Sequence, residues 1–224
     1  MPMPRATRTP ATAIIAVCIL SSIAISTSAN ATISTVAPFT GQFTDTFNEY
    51  STVMAVQSLP VFGGLGTLQN LTPGGAIKVE FSSLFDGVQI VPLSGMMAGQ
   101  LGIGQWTFSQ PITRFGGWFA NNSGQNDATV TFYDAQNQLQ GQMIATIPFA
   151  PGWTWNGWSS DVPITRIVVT GNGVLNGFLW YENMQVDTVP GPPAVAALAL
   201  VALMRMSKKR RRLDSQHSRV ATRP

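Results

Sequence analysis

The sequence predicts an all-β domain built as a two-sheet antiparallel β-sandwich, carried between two apolar, cation-flanked ends. Three observations lead there. Apolar and polar residues alternate in short runs, 21 glycines and 15 prolines interrupt the chain at close intervals, and no stretch between the ends keeps a helical period. Neither a strand–helix–strand rhythm nor an internal repeat is present, which leaves packed antiparallel sheets.

The strands are expected in order at 42–47, 76–81, 88–91 and 106–119, and then with clearer patterning at 128–134. There Ala128, Val130 and Phe132 share one face while Thr129, Thr131 and Tyr133 share the other. Asn137 and Gln138 mark the turn that follows, and 139–148 reads as the returning strand. Asp161-Val162-Pro163 opens another strand, running through Ile167 and Val169 to Gly171-Asn172-Gly173. The last expected strand, 177–186, carries Phe178, Met184 and Val186 as its apolar positions.

The ends read as transport segments. Arg5 and Arg8 precede an apolar run over 13–25, followed by Ala29-Asn30-Ala31, a small-x-small pattern for signal peptidase. Residues 1–31 are therefore expected to be a signal helix, its apolar run shorter than the roughly 20 residues that span a bilayer. Cys18 follows Val17 where a lipoprotein acceptor needs a small residue, so cleavage at Ala31 is the expected event. At the other end, Val189-Pro190-Gly191-Pro192-Pro193 breaks the fold, because each proline fixes φ and removes a donor. A short apolar transmembrane helix is expected over 194–206, held by the basic cluster Lys208, Lys209, Arg210, Arg211 and Arg212. The division is 1–31, a domain at 32–188, a sorting tail at 189–213, and a polar tail at 214–224.

Charge and composition exclude several chemistries. Ten of the 13 Lys and Arg lie outside the domain; between 32 and 189 only Lys78, Arg114 and Arg166 face nine acids, a net charge of −6. Nucleic-acid binding draws on many basic contacts, so that class is rejected. Cys18 and His217 are the only residues of their kinds and both fall outside the domain, which thus lacks a Cys nucleophile, a His base and the ligands of an ordinary zinc site.

The tail Val189-Pro190-Gly191-Pro192, its short Ala/Leu-rich helix and its Arg cluster resemble the PEP-CTERM sorting signal. That resemblance implies an exosortase-type membrane enzyme as partner, transient membrane anchoring and a secreted or cell-surface destination. Gly191 stands where the family's name has Glu, and 214–224 continues past the basic cluster. Within the domain, Phe115-Gly116-Gly117-Trp118-Phe119, the run 127–134 and Ser159-Ser160-Asp161-Val162-Pro163-Ile164 are similar to the extracellular domain of such proteins. This second likeness implies a jelly-roll-like architecture related to carbohydrate-binding modules and lectins.

Two candidate sites follow. Trp153 and Trp155, two apart in an extended segment, point the same way and form a platform for a sugar ring, with Asn156 and Asn121 bonding hydroxyls. The competing reading has Trp153, Trp155 and Trp158 capping the end of the sandwich. The resemblance further implies a structural Ca²⁺ where the first and last strands meet, at Asp45, Glu49, Glu182 and Asn183. No other cofactor is expected. Three functions stay open: a non-catalytic surface or matrix protein that contacts polysaccharide, a purely structural or protein-binding matrix component, and a glycan-active enzyme. The last needs only two carboxylates about 5–10 Å apart, and no spacing among the nine acids singles out a pair.

Overall fold

The computed structural model describes residues 31–50, 52–85, 87–121, 127–148, 152–171 and 178–190. Along the chain run β1 (Ile33–Thr35), β2 (Phe43–Asp45), β3 (Met54–Val56), β4 (Ser58–Val61), a 3-10 turn (Phe62–Gly64), β5 (Gly66–Asn70) and β6 (Ile77–Glu80). Then come β7 (Ser83–Phe85), β8 (Val88–Ile90), β9 (Met97–Leu101) and β10 (Ile103–Asn121). The last four are β11 (Asp127–Tyr133), β12 (Leu139–Thr146), β13 (Thr154–Gly171) and β14 (Phe178–Thr188).

All pairings are antiparallel. Twelve strands form one hydrogen-bonded sheet in the order β12-β11-β13-β10-β14-β9-β6-β3, with β1 on β13, β2 on β14, and the β4–β5 pair on β10. The expected two separate sheets are in fact joined, and the cause is two long bent strands. In one half, Ile103–Phe108 of β10 lies between β5 and the end of β13; in the other, Ile112–Asn121 lies between β14 and the start of β13. The register slips between Thr107 and Ile112 and again between Ile112 and Arg114. Pro111 and Pro163 sit in those gaps, where a residue without an N–H costs no ladder bond.

The two halves face each other across one aromatic core. Trp106 meets Tyr181 edge-on at 5.3 Å and Phe115 at 5.4 Å, while Phe132 meets Trp158 at 5.8 Å. Edge-to-face pairs of this kind contribute about 0.5–1.5 kcal/mol each beyond the area they bury. Ala128, Val130 and Phe132 all point into this core, as their alternation predicts. The strand expected at 161–169 is only the second half of β13, whose first half takes in Trp155 and Trp158.

The signal helix, Ala29, Gly191, Pro192, the transmembrane helix and the cluster Lys208, Lys209, Arg210, Arg211 and Arg212 all lie outside the described residues. Among the described residues no helix is long and apolar enough to cross a membrane.

Candidate functional site

The pair β7–β8 forms a separate two-stranded sheet, and with the loop after it covers the outer face of β9, β10 and β14. Ile90 is its plug, packed on Met97, Ala120 and Trp180, with Val88 and Trp153 partly buried at the margin. Gly99 makes this packing possible, since a Cβ there would stand 2.2 Å from the Trp180 ring. Glu182 fastens the loop: its buried carboxylate accepts from the backbone N–H of Leu93, from Ser94 N at 2.6 Å and from Ser94 Oγ at 3.1 Å. Burial raises the pKa of Glu182 although those hydrogen bonds pull it down.

Trp153 is half-buried beside this layer and donates from Nε1 to Val91 O at 2.8 Å. Together with Gly152, Gln89, Ile90 and Val91 it lines an open groove of about 240 Å³. Around it the same segment exposes Phe81, Leu84, Val91 and Leu93, each more than half accessible.

Trp155, two residues on, is held elsewhere. Its Nε1 donates to Val36 O at 3.1 Å, and its ring meets Phe39 at 5.6 Å and Trp118 at 6.0 Å, both edge-on. Gly157 lies beneath it, where a Cβ would come within 2.7 Å of the indole nitrogen. The two indoles are thus pinned to separate segments rather than joined into one surface.

The amides expected to serve hydroxyls are spent on the fold. Asn156 accepts from Thr146 N at 2.9 Å and donates to Thr146 O at 3.0 Å and Thr154 O at 3.3 Å, tying β12 to β13. Its position in the strand gives it the parity of core Trp158, not of Trp155. Asn121, at the end of β10, is buried.

The expected first strand, β2, does meet the last strand, β14, with Asp45 opposite Met184, while β1 lies on β13. The four expected calcium ligands nevertheless do not converge. Asp45 Oδ1 accepts from Phe47 N at 2.9 Å and Oδ2 from Phe62 N at 2.7 Å; Glu182 is turned to the β8–β9 loop, and Glu49 is exposed. Asn183 sits at φ 47° with its amide 3.5 Å from Glu182 Oε1. No group of three acidic, His or Cys residues suited to a metal occurs among the described residues. Carboxylate oxygens already facing N–H dipoles are poor cation ligands, so this geometry does not fit Ca²⁺. Burial pushes the Asp45 carboxyl up to about 6, against the two backbone bonds and with a smaller push from Glu49.

The chain matches no protein-family model and no curated protein. Among solved structures it is similar to a family 6 carbohydrate-binding module, at 14% identity and TM-score 0.30, covering 50% of this chain and 82% of that one. It is also similar to the CBM22-1 xylan-binding domain from Paenibacillus barcinonensis Xyn10C, at 10% identity and TM-score 0.36, covering 69% and 100%. A third is the enzymatically active domain of bacteriophage CBA120 tailspike protein 4, at 16% identity and TM-score 0.27, covering 71% and 19%.

Trp153 is a candidate marked by the sequence, whereas Gln89 and Val91, which line the same groove, are not marked by it. The available signal was the apolar, charge-poor stretch from Phe81 to Leu93, too apolar for an ordinary exposed hairpin.

Proposed function

We propose that this chain is an exported bacterial surface or matrix protein that is non-catalytic and contacts polysaccharide through the Trp153 groove. On this reading signal peptidase cuts after Ala31, and an exosortase-like enzyme reads Val189-Pro190-Gly191-Pro192 while the apolar tail and the basic cluster hold the chain in the membrane. The body is a jelly-roll-like sandwich that presents the groove.

The observation that carries the proposal is the fixed, half-exposed indole of Trp153 in a groove also lined by Gln89, whose Nε2 donates to Ser82 Oγ at 2.9 Å and whose Oε1 remains to accept. An aromatic face with one placed amide suits a pyranose, whose C–H groups stack while a hydroxyl is bonded. A volume of about 240 Å³ lies below the roughly 300–1,000 Å³ of pockets that enclose whole ligands, so the groove takes one ring of a longer chain. Affinity electrophoresis through gels containing soluble polysaccharides, followed by a glycan array, tests this. Trp153→Ala is expected to lose retardation at least tenfold while its melting temperature falls by less than about 4 °C. Retention unchanged in the variant, or a wild-type protein that binds no glycan, overturns it.

A second reading, a protein-binding matrix component, is favoured by the exposed Phe81, Leu84, Val91 and Leu93. It gains if the array is blank and Leu84→Ser prevents incorporation into the matrix.

A further inference from the structure

We infer that Asp161 is the receptor for the chain's own new amino terminus, so that removal of the signal segment creates an ion pair which the uncut chain lacks. The inference rests on the proposed cleavage after Ala31. Thr32 N already donates to Asp161 Oδ1 at 2.8 Å as an ordinary amide. Its position is set from the downstream side. Ile33, Ser34 and Thr35 pair with Ser160, Ser159 and Trp158, Val36 N donates to Gly157 O at 2.9 Å, and Ile33 packs against the core. Residue 32 is therefore the first one beyond a zipped strand, and it stays beside Asp161 whether or not anything precedes it.

Hydrolysis leaves that nitrogen in place and changes its chemistry. Water adds its hydroxyl to the Ala31 carbonyl carbon and a proton to Thr32 N as the C–N bond breaks, and the proton released by the new Ala31 carboxyl makes the amine an ammonium. The product amine is a cation at neutral pH, because α-amino groups titrate near about 7.7–8.0. A charge-assisted bond then replaces a neutral donor at the same place.

The surrounding charges leave this role open. Lys78 pairs with Glu80 at 3.5 Å, Arg114 is turned to Asp187, and Arg166 lies over the Tyr133 ring at 3.5 Å and bonds Asn137. Among the described residues no Lys or Arg reaches Asp161. The neighbouring strands bring no other charged side chain to it: β1 carries none, and the one on the facing part of β10 is Arg114. In a domain of nine acids and three cations, the fourth positive charge arrives where an acid is waiting.

The test uses a chain that begins at Thr32, released from a cleavable fusion, beside the same chain N-acetylated and beside Asp161→Asn. At pH 6 the free-amine protein is expected to melt about 1–2 °C above its acetylated form, a small gap because the pair is exposed. A cation stabilised by folding lends that stability below its unfolded pKa and loses it as pH rises, so the gap closes by about pH 10. Asp161→Asn is expected to show no gap, and its Thr32 amine to titrate at lower pH by NMR than in the wild type. Equal melting of the free and acetylated forms at pH 6, or equal titration in the variant, overturns the pairing. Mass spectrometry of the exported protein tests the premise separately: a start at Thr32 supports it, and another start overturns the cleavage site without touching the engineered result.

Discussion

The molecule has two apolar interiors, and they are built differently. Between the folded halves, Trp106, Phe115, Phe119, Phe132, Trp158 and Tyr181 interlock through edge-on contacts contributed by four strands. Beneath the β7–β8 pair, Ile90, Met97, Ala120 and Trp180 form a small covered cluster, and among the described residues no ladder bond joins that pair to the main sheet. Each interior also borders a buried carboxylate that accepts from two backbone N–H groups, Asp45 for the first and Glu182 for the second. The contrast separates what makes the protein fold from what shapes its outer groove.

The largest test of that separation is Trp158→Ala, which empties the centre of the main core. It is expected to cost about 3–5 kcal/mol in denaturant unfolding. Ile90→Ala removes the plug of the outer layer at a local cost of about 2–4 kcal/mol. Hydrogen exchange is expected to speed up across 83–94 while the amides of β10 and β11 keep their protection. If β10 exchanges equally fast, the two interiors are one.

The carboxylates sharpen the comparison further. Asp45 is raised from 3.8 to about 6, so the folded state binds a proton between those values that the unfolded chain does not. Its contribution therefore makes the protein more stable as pH falls from about 6 to about 4, on the order of 2–3 kcal/mol. Asp45→Asn is expected to flatten that part of the global stability–pH curve. Glu182 is shifted in the same direction, but Glu182→Gln is expected to change the pH dependence of hairpin opening rather than of global unfolding. An unchanged slope in Asp45→Asn would remove the distinction.

How much was legible depended on how many faces of a strand are covered. β11 was readable because Ala128, Val130 and Phe132 are buried while Thr129 and Thr131 are less so. β9 was not, because Met97, Ala98, Gly99 and Gln100 are all buried, core on one side and hairpin on the other, which erases alternation. The expected strand opened only at Asp161, whereas β13 begins at Thr154 and carries Trp155 and Trp158, with Gly157 leaving room for the Trp155 ring. Of the candidate site, Trp153 could be picked out, but its partner Val91 lies 62 residues away, beyond any local pattern. For Asn156 and Asn121 the sequence shows that an amide is present, not which way the strand turns it.

Since β10 and β13 each belong to both halves, neither half can come apart without stripping the ladder from the other. Pulled from its two ends, such a domain gives way in one abrupt event rather than by peeling.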